Sequence, residues 1–137
     1  MNIARAEQHD FPALIKLWHE CGLTRPWNDP ENDLRFALKG PASTVLAGKV
    51  EGEIVSSVMV GHDGHRGALY YLATAPHHQG KGFGRAIHDA AVDWLSSQGV
   101  WKINILVRNE NEKVHGFYKS LGYGQNQATS FAKQITK

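Results

Sequence analysis

HHQGKGFGRAIHDA, residues 77–90, places Gly80, Gly82 and Gly84 directly ahead of a run with helical spacing. Before it, ALYYLATA (68–75) reads as a strand apolar on both faces, hence central in a sheet and covered on each side. After it, Ile87, Ala90, Ala91, Trp94 and Leu95 step by three and four until Gly99 closes the helix. A glycine turn between a buried strand and a helix start gathers backbone N–H groups and the positive end of the helix dipole at one point, and glycine lets an anion come close. Such a place suits phosphate. A P-loop would need G-x-x-x-x-G-K-[ST], and Arg85-Ala86 offers no Lys-Ser pair. A dinucleotide turn would need G-x-G-x-x-G, whose third glycine falls on Arg85 or Ile87. A plain loop before a helix remains the alternative.

Outward from this stretch, Ile3 begins a short strand, and Phe11, Leu14, Ile15, Trp18 and Cys21 form a helical stripe up to Gly22. Asp29-Pro30 has the form of an N-cap followed by proline at the first helical position, opening a second helix with Leu34, Ala37 and Leu38 inward. Residues 44–49 and 53–60 read as a hairpin. KINILVR (102–108) reads as a further strand, Val114, Phe117, Tyr118 and Leu121 as a fourth helix, and 128–133 as a last strand. The order is βααβββαβαβ: one α/β domain over 1–137, with a mixed, mostly antiparallel central sheet and about four helices.

Composition narrows the classes. Apolar residues make up 42%, and a net charge of +2 is too small to mark a nucleic-acid binder. No stretch approaches the roughly 18 apolar residues of a membrane span. The single cysteine, Cys21, excludes an internal disulfide, lies in a core stripe, and points to a buried structural thiol and a cytoplasmic setting.

The string also fits Q/R-x-x-G-x-G/A as Gln79, Gly82 and Gly84, and with the element order it resembles the GCN5-related N-acetyltransferases, the GNAT superfamily. LTRPWNDP (23–30), GHDGHRG (61–67) and the following YYL are similar to its YpeA-like bacterial branch. The resemblance implies acetyl-CoA as co-substrate, with the pyrophosphate on Gln79, Gly80, Lys81, Gly82, Phe83, Gly84 and Arg85. It implies that Leu72, Ala73 and Thr74 pair their main chain with the pantetheine arm like an added strand. The spacing N-x-x-V-x-x-x-Y-x-x-x-G-Y, from Asn111 to Tyr123, is similar to the second signature, with Val114 where a small residue is more usual. By that likeness Asn111 binds near the pantetheine and Tyr118 is the general acid, although periodicity alone also allows Tyr118 a place in the core. A phenol with a pKa near 10 is protonated at neutral pH and can serve a departing thiolate. Dimers are common in the family, so a homodimer belongs to the expectation.

The rest of the chemistry is less specified. Direct attack needs a neutral amine, small-molecule or peptide, and an acyl-enzyme has no nucleophile to use. Positions where members carry a carboxylate hold Tyr70, Tyr71 and Leu106. His62, Asp63, His65, Glu53 and a held water are the remaining candidates, and the base stays unassigned. His62, Asp63 and His65, or His77 and His78, supply no convincing metal ligand set. On the acceptor side, Arg25 is a candidate for an anionic group, Tyr70 a candidate contact, and Trp27 either a pocket wall or a pin holding its loop to the core. Asp29 reads as an N-cap. A sensor that holds CoA without turnover, and a phosphate loop for another nucleotide, are the competing readings.

Overall fold

The hairpin of β2 (Ser43–Val50) and β3 (Glu53–His62) is the middle of the sheet, and its alternation sorts the core into two layers. In the computed structural model, which describes residues 1–136, Val45 pairs with Met59 and both face one layer, while Leu46 pairs with Val58 and both face the other. Opposed residues in a ladder share a face, so the period of two dictates this sorting. β1 (Asn2–Arg5) and β4 (Gly67–Thr74) flank the hairpin in the order β1-β2-β3-β4, antiparallel throughout.

Helix α1 (Phe11–Glu20) and helix α2 (Pro30–Lys39) cover one face with Leu14, Leu17, Trp18, Leu34 and Ala37. Asp29 caps α2 as expected, its Oδ1 accepting from Asn32 N–H at 3.1 Å. Helix α3 (Phe83–Ser97) covers the other face with Ile87, Ala91 and Leu95. Trp18 is wholly buried. Its ring stacks on Tyr71 with centroids 3.8 Å apart and planes 11° apart. Its Nε1–H donates to Ser57 Oγ at 2.9 Å, and Ser57 Oγ donates to the Tyr71 carbonyl at 2.8 Å.

The start of α1 is tied to the sheet by one buried carboxylate. Asp10 accepts from Glu7 N–H at 2.9 Å and meets Lys49 Nζ at 2.9 Å. Burial alone would raise its pKa, but the Glu7 hydrogen bond, Lys49 and His9 together hold it below the ordinary carboxylate value.

Backbone contacts divide the chain into two compact units, Met1–Ile105 and Leu106–Lys137. The second holds α4 (Glu112–Ser120), and Lys137, the end of the expected domain, lies outside the described residues. Two expected strands are not formed. Over 102–108 the ladder is a single parallel bridge between Ile103 and Gly67, with Gly67 N–H donating to Lys102 O and Asn104 N–H to Gly67 O, each at 2.9 Å. Ile103 and Ile105 carry the alternation onto the α3 layer, but Leu106 is 68% exposed and no ladder continues. Residues 128–133 form no strand, and Phe131 among them is 94% exposed. β4 is therefore covered on both faces but lies at the edge of the named strands, not at the centre. No described helix is long and apolar enough to cross a membrane.

Trp18→Ala is expected to cost about 3–5 kcal/mol in chemical denaturation, since it removes the stack, the indole hydrogen bond and a large buried volume. A lowered Asp10 pKa contributes stability that is present above the unfolded value and lost as pH falls through the folded one. Thermal melts should therefore drop below about pH 4 more steeply in the parent than in Asp10→Asn.

Candidate functional site

At the end of β4 the chain makes a 3-10 turn over Pro76–His78, with His78 N–H donating to Ala75 O at 2.8 Å. Gln79 Nε2 then reaches back to the Thr74 carbonyl at 3.1 Å, folding the loop against the strand it leaves. Gly80 and Gly82 have φ of +80° and +83°, where an L side chain is strained, although a Cβ would meet nothing within 4 Å at either. The glycines are required for conformation, not for room. Gly82 is the N-cap of α3, and the N–H groups of Phe83 and Gly84 in its first turn have no acceptor within the helix. Lys81 and Arg85 are exposed beside them. The stretch Gln79–Arg85 is thus brought into one turn with the dipole and bare backbone an anion needs. The His78 ring lies 5.9 Å from that of Phe83 at the base of the turn.

Leu72, Ala73 and Thr74 lie on β4, the last strand of the sheet, beyond which the described residues add one isolated bridge, at Gly67. A strand edge next to an anion turn can accept an extended ligand as a further strand. Ser56 Oγ donates to Ala73 O at 2.8 Å, and Cys21 Sγ donates to Thr74 O at 3.4 Å. Burial and the Glu20 charge push the Cys21 thiol up against the weaker effect of that carbonyl, so it stays protonated.

The register between β3 and β4 slips near their middle. Ser57 faces Ala73 and Met59 faces Tyr70, so Tyr71 and Leu72 together oppose Val58 alone. This is a bulge. Tyr71 takes a φ of +51°, and its side chain packs into the α1 and α2 layer. Tyr70, opposite Met59, is 53% exposed on the same side. The Tyr71 hydroxyl donates to Asp33 Oδ2 at 2.7 Å. Burial and Asp33 both push the Tyr71 pKa well above the ordinary phenol value. The pairing of Asp33 with Tyr71 escaped the sequence reading. Its only signal was two consecutive tyrosines in a strand that alternation should have split between faces.

In the loop between α1 and α2, the Arg25 guanidinium is bound at home, donating to Gly22 O at 2.9 Å and Thr24 O at 3.2 Å. Trp27 is 74% exposed and does not pin this loop to the core. In the turn after β3, Asp63 Oδ1 accepts from Arg66 N–H at 2.8 Å and His65 N–H at 2.9 Å, which hold its carboxyl below the usual range. His62 Nδ1 accepts from Gly64 N–H at 3.0 Å. These side chains close a turn.

Within the second unit, Asn111 is the N-cap of α4, its Oδ1 accepting from Val114 N–H at 3.4 Å. Tyr118 is half-buried, edge-on to Phe117 and Tyr123 with centroids 5.3 and 5.4 Å away. Burial, helped by Tyr123, pushes its pKa up to about 12.

The sequence pattern of the acetyltransferase (GNAT) family matches residues 8–123. An acetyltransferase of Yersinia pestis is 41% identical over 135 residues, 98% of this chain and 96% of that protein. An aminoglycoside 6'-N-acetyltransferase of Acinetobacter haemolyticus has a solved structure with a TM-score of 0.81 at 18% identity, covering 99% of this chain and 100% of that one. AAC(6')-Iy, bound to a bisubstrate analog of CoA and acetylneamine, gives 0.83 at 13% identity, covering 98% of each chain. At such identities the two structures show the likeness of fold.

Gly82→Ala places a side chain at left-handed φ, at about 1–2 kcal/mol. The expected outcome is a lower urea midpoint and at least tenfold weaker CoA binding by calorimetry, with Gly40→Ala as a control outside the turn.

Proposed function

Because the chain belongs to the GNAT family of acetyltransferases, we propose that it moves the acetyl group of acetyl-CoA to a primary amine of a small molecule, protein or peptide by direct attack. It is an acetyl-transferring enzyme, and family membership favours turnover over sensing. The observation that carries the donor half is the turn at Gly80 and Gly82, which leads from the edge strand β4 into the N-terminus of α3. In this reading Gln79–Arg85 receive the pyrophosphate and Leu72–Thr74 pair with the arm, and Asn111 is carried over from the family's second signature as a pantetheine-binding residue. Both units form one acetyltransferase domain, a view supported by the family match running across them. Arg25, Trp27 and Tyr70 border the acceptor. The reading extends to a cytoplasmic setting, supported by the single cysteine, and to a homodimer, supported by the family resemblance.

Tyr118 is the proposed general acid. Its raised pKa suits the role, because the proton-bearing form persists across the pH range in which an amine becomes nucleophilic. As the C–N bond forms and the C–S bond breaks, the nitrogen gives up one N–H proton, the sulfur takes the phenol proton, and solvent restores the phenol. Expulsion of a thiolate without a proton would be slower.

Thiol release from acetyl-CoA over a panel of amines, polyamines and peptide N-termini tests the reading, and stabilisation by ATP or NAD with none by CoA would overturn the donor assignment. Tyr118→Phe is expected to lower kcat about 100-fold while leaving the KM for acetyl-CoA within twofold. In the parent, rate should climb with pH as the amine deprotonates and show no descending limb up to about pH 10, because Tyr118 stays protonated well above that.

A further inference from the structure

Tyr71 is built more elaborately than a space-filling aromatic needs. It sits in the left-handed region within a strand, its ring lies flat on the buried Trp18, and its hydroxyl is committed to the Asp33 carboxylate at 2.7 Å. A phenylalanine would stack as well, and an unbulged strand would pair better. The bulge has a result of its own: Tyr70 and Tyr71 fall on the same side of the sheet, facing the layer of α1 and α2. Asp33 stands in the first turn of α2, where the helix dipole favours a negative charge. Burial and that carboxylate keep the phenol neutral.

The position follows from the acetyl-transfer reading above, on which this inference rests. With the pyrophosphate on the turn after β4, an arm paired with Thr74, Ala73 and Leu72 runs back along the strand at roughly 3.3 Å per residue. The next residue is Tyr71, so the acyl end of the arm arrives at the bulge.

We infer that Tyr71 and Asp33 are the path by which the attacking amine loses its proton. The neutral amine attacks the thioester carbonyl, and its nitrogen becomes cationic as the C–N bond forms. Tyr71 Oη accepts one N–H proton while its own proton passes to Asp33 Oδ2. The C–S bond breaks, the sulfur is protonated by the general acid, and solvent exchange returns the proton on Asp33. Tyr71 touches the amine; Asp33 acts through Tyr71. The pair also explains how the chain dispenses with a carboxylate on β4, since the carboxylate arrives from α2.

The test compares the full-length parent with Asp33→Asn, which still accepts from Tyr71, and Tyr71→Phe, which keeps the stack on Trp18. Both are expected to lose about 100-fold in kcat/KM for the amine with the KM for acetyl-CoA and the melting temperature unchanged. Formate added to Asp33→Ala is expected to restore at least tenfold of the lost rate and to leave the parent unaffected. Parental rates in both folded variants would overturn the inference alone. Lost rate with a lowered melting temperature and no formate rescue would assign the pair to structure and overturn it too. A parent that binds acetyl-CoA but releases no thiol with any amine would overturn the amine reading and this inference together.

Discussion

The buried indole of Trp18 fixes more of this chain than any other side chain. It joins α1 to β3 through Ser57 and to β4 through the face of Tyr71, and Ser57 in turn holds the Tyr71 carbonyl. Together these contacts support a backbone conformation that a tyrosine would not adopt unaided. The stack, the Ser57 hydroxyl on the Tyr71 carbonyl and the Asp33 carboxylate on its hydroxyl all bear on the one bulged residue.

Much of the scaffold was legible because it depends on local periodicity. The stripes of Leu14, Leu17 and Trp18 and of Ile87, Ala91 and Leu95, the Asp29-Pro30 start and the alternation of the hairpin each leave a mark in the sequence that burial then confirms. The glycine turn was equally visible, since left-handed φ at Gly80 and Gly82 selects glycine directly. The strands expected at 102–108 and 128–133 were misread for one reason. Alternation marks a segment able to pair, but pairing needs a partner in register, and here it ends after one bridge at Ile103 or does not begin.

What the sequence hid was long-range. Asp33 and Tyr71 are 38 residues apart, and no spacing rule brings α2 onto β4. A bulge is similarly silent, because YYL satisfies a strand whether or not one residue is added. Arg25, legible as a cation, is held by carbonyls of its own loop. Residue type announced its charge but not its destination.

The bulge divides β4 into two halves with separate obligations. The half from Leu72 to Thr74 leads into the glycine turn, while Tyr70 and Tyr71 face the layer of α1 and α2, which Ala73 also joins. One added residue therefore sets two adjacent tyrosines on one face of the sheet and returns the strand to its pairing with β3 before the glycine turn.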